Sequence, residues 1–152
     1  HPKVERFVAD IFDDDWVKQF AGQFELVTSF EVIEHLTDAE GFMRQCAVLT
    51  KPDGYVAVVT PNSDRIQNRY FEWRGSPRQF QDPMHFKEYT IDSLTLMGEA
   101  VGLNRVGYFG YATQFSVRGV TVLTPNRPLG VKLGQLFPHL ALIMGLVFKK
   151  EA

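Results

Sequence analysis

Apolar and polar positions along the chain follow two alternating periods. FELVTSF, Phe24 to Phe30, is a short β-rich run, and YVAVVT, Tyr55 to Thr60, is a near-continuous apolar run of the kind found in strands covered on both faces. Val4 to Ala9, Val106 to Ala112 and Leu140 to Phe148 are further strand candidates. Between the first two runs the period changes to helical. Ala39 to Leu49 places Phe42, Met43, Cys46, Ala47 and Leu49 on one side, behind a T-x-x-E capping box made by Thr37 and Glu40. KPDG, with Pro52 and Gly54, stops that helix and admits a turn. Thr90 caps another helix, with Asp92 in its first turn, that runs to about Ala100 and is stopped by Gly102. A short helix near Leu129 to Phe137 completes the pattern. Strands alternating with helices predict an α/β fold with a largely parallel sheet.

Composition narrows this reading. A chain of 152 residues predicts one domain over residues 1–152 and can bury a sizeable core. Its net charge of -2 argues against a general attraction to nucleic acid or anionic lipid. Cys46 is the only cysteine, so no internal disulfide forms and a reducing cytoplasm is the easier home. The longest apolar run, Leu140 to Phe148, falls short of the ~20 residues that a membrane-spanning helix needs. The opening residues carry no signal-peptide pattern, and His1 is read as a terminal residue without a role. The expectation is a soluble, cytoplasmic protein.

Two stretches carry candidate chemistry. SFEVIEHL sets Glu31, Glu34 and His35 where the strand Phe24 to Phe30 ends; if this turn is helical, the three share one face while Val32, Ile33 and Leu36 point inward. Residues 63–88 are polar, arginine-rich and interleaved with aromatics, without clear periodicity, which in a compact domain marks a functional or mobile segment more often than a neutral one. Asn62, Arg65, Arg69, Tyr70, Trp73, Arg74 and Arg78 are its candidates for an anionic or sugar-bearing ligand, since arginine forks suit phosphate or carboxylate and aromatic faces suit rings. Solvated loop charges with packed aromatic stems are the plainer reading. His139 is read as packing or capping.

The stretch FELVTSFEVIEHLTDAEGFMRQCAVLTKPDGYVAVVTPN resembles the middle of class I S-adenosylmethionine-dependent methyltransferases: a strand ending in an E-x-x-E-H turn, a helix, a turn of LKPGG type and the next strand. Asp53 replaces one glycine of that turn. HFKEYTIDSLTLMGEAVGL and LALIMGLVFKK are similar to the later helix and last strand of the family. The resemblance implies a Rossmann-like sheet of order 3-2-1-4-5-7-6 with an antiparallel last strand. The chain contains no G-x-G, so it lacks the glycine-rich cofactor turn and the acidic residue that ends the family's second strand. The resemblance therefore implies a carboxyl-terminal part of the domain, strands 3 to 7, with FVADIF as strand 3. Such a chain alone is expected to bind the cofactor poorly, and the open edge of Phe24 to Phe30 is expected to favour self-association.

By resemblance, the Ser29 and Phe30 backbone faces the methionine part of S-adenosylmethionine, and Asp10 with Ile11 contacts the adenine. Three roles stay open for the cluster. Glu31, Glu34, His35 and the distant His85 resemble the metal site of small-RNA 2′-O-methyltransferases and of ubiquinone-pathway O-methyltransferases, with Mg, Mn or Zn as candidate ions. Alternatively His35, with Glu31, serves as a metal-free general base, or the group is structural. The expected reaction is methyl transfer to a hydroxyl of a small molecule or glycan, with Asn62, Arg65, Tyr70, Trp73 and His85 on the acceptor side and 63–88 as its cover. Nucleic acid is the less favoured acceptor. A catalytically silent interaction module, favoured by the missing glycine turn, and a metal-dependent hydrolase, disfavoured by the lack of H-E-x-x-H, are the alternatives.

Overall fold

The computed structural model describes residues 4–151; His1 lies outside the described residues. Four strands form one sheet: β1 (Phe24–Phe30), β2 (Thr50–Pro61), β3 (Leu103–Tyr111) and β6 (Ile143–Lys150), in the order β1-β2-β6-β3. β1 and β2 are parallel, and β6 runs antiparallel to both β2 and β3. This is the 4-5-7-6 part of the expected order, last strand antiparallel included. β4 (Phe115–Val117) and β5 (Val120–Leu123) make a separate hairpin.

The core lies on one face of the sheet, under α2 (Ala39–Leu49) and α4 (Ile91–Glu99). Val56 and Val58 of β2 alternate inward with Met144, Leu146 and Phe148 of β6, and all five are buried. Phe42, Met43 and Cys46 close over them from α2, and Leu94 from α4. Gly98 is required there, since a Cβ at that position would sit 2.4 Å from the Phe148 ring. The opposite face is more open: Leu26, paired with Tyr55, and Phe109, paired with Gly145, are exposed.

Several local details differ from expectation. The cap of α2 is Asp38, whose carboxylate accepts the Gly41 N–H at 2.8 Å, and not Thr37 with Glu40; a carboxylate at the positive helix end is the stronger partner. KPDG does not separate helix from strand. β2 starts at Thr50, and because Phe24 pairs with Thr50 and Leu26 with Tyr55, these residues bulge out of the ladder, with Asp53 rather than Gly54 in the left-handed region (φ 61°). Lys149 holds the bulge through a 2.7 Å ion pair to Asp53.

Val4 to Ala9 is not a strand. No ladder partner lies beside it among the described residues, so Val4 and Val8 are exposed and Phe7 stacks instead on Trp16 and Phe20, near α1 (Asp14–Gln19). Two further helices follow the pattern: Thr90 caps α4 through a capping box with Ser93, and α5 (Pro128–Leu136) forms where a short helix was expected, whereas α1 and the β4–β5 hairpin were not expected. Within 63–88 the sequence concealed α3 (Ile66–Trp73), in which polar and aromatic or apolar residues are mixed in equal number.

Candidate functional site

The parallel strands β1 and β2 end side by side, Phe30 opposite Val59, and the chain leaves β1 through Glu31 into a single 3-10 turn, Ile33–His35. Ile33 and Glu34 are fully buried, while His35 is exposed. Two contacts strap this turn to the far end of the 63–88 segment: the Phe86 backbone N–H donates to the Glu34 carbonyl at 2.9 Å, and the ring nitrogen Nδ1 of His35 lies 3.4 Å from the Met84 carbonyl. His85 is thereby brought against His35, ring centroids 4.8 Å apart and nearly perpendicular. Ligand atoms of Glu34, His35 and His85 all fall within 4.8 Å of one another.

Each buried member is held from behind. Thr60, the polar residue that continues the inward series Val56, Val58, donates to Glu34 Oε2 at 2.9 Å; the other oxygen, Oε1, has no partner among the described residues. Burial is the larger reason that the Tyr89 hydroxyl titrates above its ordinary range, and the Glu34 charge adds to it. His85 Nδ1 lies 3.0 Å from Glu88 Oε1. Glu88, almost wholly buried, also accepts the Gln81 N–H and the Arg65 guanidinium, and Arg65 in turn donates to the carbonyls of Asn62 (3.1 Å) and Gln79. The line Arg65, Glu88, His85 leaves Nε2 as the free nitrogen of His85.

Sequence patterns bear on what this arrangement belongs to. The profile of a methyltransferase domain matches residues 3–107, more than half of the chain. The chain belongs to the methyltransferase-domain family. A ubiquinone biosynthesis O-methyltransferase of Bradyrhizobium sp. (strain ORS 278) is 29% identical over 107 residues, covering 62% of this chain and 41% of that protein. Its namesake from Rhodopseudomonas palustris (strain BisB18) is 48% identical over 40 residues, 26% of this chain and 16% of that protein. The matches thus span less than half the length of either curated relative. Among solved structures, an S-adenosylmethionine-dependent methyltransferase from Archaeoglobus fulgidus superposes with a TM-score of 0.59 at 16% identity, over 93% of this chain and 66% of that one; it shows the shared fold.

Within this methyltransferase domain the other candidates separate. Glu31 does not join the cluster, because the 3-10 turn starts at Ile33; its own backbone is left-handed (φ 51°), and its exposed side chain lies beside Phe30 at a cavity of about 510 Å³ walled by Val59, Phe109 and Tyr111. Ser29 is buried, and its hydroxyl lacks a partner among the described residues. Asp10 is exposed and turns its carboxylate back to the Phe12 N–H at 2.9 Å; Ile11 packs on the core.

Asn62 and Arg65 are buried and fully engaged, Asn62 with the carbonyls of His139 and Ala141 at 3.0 Å each. They hold the segment in place, and His139 takes part through its backbone. Arg69 and Arg78 both pair with Asp64 and Glu72, and Glu72 titrates below its ordinary value chiefly through its hydrogen bond to Arg78. Tyr70 meets Phe115 edge to face, and Trp73 is 79% exposed. Glu88 and Thr60 are the residues that the sequence reading missed. The H-x-x-E spacing of HFKEY is the signal for the first, and a lone threonine on the inward face of an apolar strand is the signal for the second.

Proposed function

We propose that this methyltransferase domain serves transfer of the methyl group of S-adenosylmethionine to a hydroxyl of a small molecule or glycan. The observation that carries the reading is the Glu34, His35, His85 cluster at the carboxyl ends of β1 and β2, where open α/β sheets receive their ligands. The names of the curated relatives support an oxygen acceptor on a small molecule. Methyl transfer is an in-line displacement at a sulfonium, so alignment and exclusion of water supply most of the acceleration, and the acceptor hydroxyl must also lose its proton.

His35, the exposed member, receives that proton, since imidazole is the side chain suited to general-base work near neutral pH. Glu34 and His85 orient the hydroxyl. Ser29 and Phe30, at the end of β1, belong to the cofactor side with Asp10 and Ile11; Glu31 lies beside them. Residues 63–88 form the acceptor-side cover, pinned at one end by Arg65 and at the other by the backbone contact of Phe86 to Glu34.

The same donors fit a divalent ion. A buried carboxylate oxygen without a partner and two imidazoles within 4.8 Å are a donor set for Mg, Mn or Zn, and Glu34, His35 and His85 are the residues that would hold it. Such an ion, when bound, lowers the pKa of a hydroxyl beside it. The single cysteine, buried as Cys46, suits a reducing cytoplasm.

Calorimetric titration of S-adenosylmethionine and S-adenosylhomocysteine tests the cofactor half. The titrations use this chain and the chain extended by an upstream strand and G-x-G-x-G turn. Micromolar binding by the extended protein, followed by transfer to hydroxylated acceptors, is expected. Failure of both proteins to bind either compound overturns the reading in favour of an interaction module.

A further inference from the structure

Between α3, residues 79–81 and the β4–β5 hairpin lies a cavity of about 470 Å³, within the range of small-molecule sites. The hairpin is docked there by Gln67, whose side-chain amide donates to the Ser116 carbonyl at 3.1 Å and accepts its N–H at 2.6 Å, as a strand neighbour would. Tyr70, Phe71 and Phe80 supply aromatic walls, and the amides of Gln79, Gln81 and Gln114 line the opening. The backbone N–H groups of Gln79 and Gln81 are taken by Asn68 and Glu88, but none of the three side-chain amides has a hydrogen-bond partner among the described residues, so their donors and acceptors are free for a ligand. At the back is Arg65, and through Glu88 the cavity adjoins His85.

The charges decide what fits. Arg65 is neutralised by Glu88 and two carbonyls, and Arg69 and Arg78 by Asp64 and Glu72. Three of the arginines that gave the segment its look of an anion site are thus paired with carboxylates of the same segment, and Arg74, exposed, does not line the cavity. Arg118 stands at the rim, exposed, where its charge is screened by solvent and salt. What remains inside is amide and aromatic surface, which hydrogen-bonds hydroxyls and stacks on rings but does not compensate a carboxylate or phosphate.

We infer that this cavity binds an uncharged, hydroxyl-bearing ring, of the size of an aryl glycoside, and disfavours its anionic counterpart. The inference rests on the acceptor-side assignment of residues 63–88 and narrows the acceptor from anionic or sugar-bearing compounds to neutral ones.

Ligand-observed saturation-transfer NMR at 0.15 M salt, with 4-nitrophenyl β-D-glucoside against the matching glucuronide, tests it without cofactor or turnover. The glucoside is expected to bind at least about tenfold more tightly, since the glucuronide carboxylate would be left without a partner. Phe80→Ala and Gln114→Ala, both at exposed positions, should weaken glucoside binding severalfold at unchanged melting temperature, and Arg118→Gln should leave the preference in place. Equal affinities, tighter glucuronide binding, no binding of either probe at millimolar concentration, or indifference to Phe80→Ala would each overturn the inference. Methyl transfer to some acceptor alongside any of these results would leave the proposed function standing. Glucoside binding without any methyl transfer would do the reverse.

Discussion

Replacing Glu88 by alanine should be among the most damaging single changes in this chain. Its carboxylate takes the Arg65 guanidinium, the Gln81 N–H and His85 Nδ1, and both charged side chains are at most 5% exposed. Removing one partner of a buried ion pair typically costs about 3–5 kcal/mol, because the other charge is stranded away from water. Arg65 keeps its bonds to the carbonyls of Asn62 and Gln79, which places the expected loss near the lower end, about 3 kcal/mol. With a urea m-value of about 2 kcal/mol/M for a domain of this size, the midpoint should fall by roughly 1.5 M. Urea titration followed by circular dichroism measures it. Arg65→Met combined with Glu88→Leu should cost clearly less than the two single changes added, since the stranded charge is then gone. A midpoint shift under about 0.5 M for Glu88→Ala at unchanged m, or strict additivity of the pair, would refute the claim that this ion pair anchors the cover.

Other consequences are local. Gly98→Ala should destabilise by about 1–2 kcal/mol in the same assay, the crowding of Phe148 outweighing the helix propensity gained, whereas Gly107→Ala, which meets nothing within 4 Å, should not. Burial pushes the Cys46 thiol up to about 12 from 9.0, so its contribution is fully present below pH 9 and is lost as pH rises toward 12. That loss amounts to up to roughly 4 kcal/mol; urea midpoints across this window should fall, and less steeply in Cys46→Ala. The raised Tyr89 hydroxyl acts in the same direction and leaves a residual slope in that variant. Calorimetric titration with Mn²⁺ should give one site that weakens about tenfold or more in His85→Ala; an unchanged isotherm would remove His85 from the donor set.

Much of the fold was legible because its core elements carry strong periods. β1 and α2 match their predicted spans, and the runs around Tyr55, Val106 and Leu140 became β2, β3 and β6. Strand pairing was the less legible part. Val4 to Ala9 has strand-like residues, yet a strand needs a neighbour to receive its backbone hydrogen bonds, and propensity does not report whether one is there. α3 was hidden because polar residues interrupt its apolar and aromatic ones in equal number, and tertiary partners that hold it, Asp64, Arg78 and Ser116, lie outside it.

The site divides in the same way. Glu34, His35 and His85 were legible as residue types, but Glu31 was grouped with them on the assumption of a regular helix, and the chain instead makes a left-handed step and one 3-10 turn. The arginines of the cover were legible only as charges. Which carboxylates pair with Arg65, Arg69 and Arg78 is a matter of tertiary geometry that residue types do not report.

The central claim is that Glu34, His35 and His85 serve methyl transfer to a hydroxyl. The most direct measurement is the rate of labelled methyl transfer from S-adenosylmethionine to a hydroxylated acceptor by the extended protein, compared with Glu34→Gln, His35→Ala and His85→Ala, each with and without a chelator. Losses of about a hundredfold or more in kcat for the variants, at retained S-adenosylhomocysteine binding and retained fold, are predicted. Full activity in all three variants would contradict the account and reduce the cluster to a structural feature of the turn.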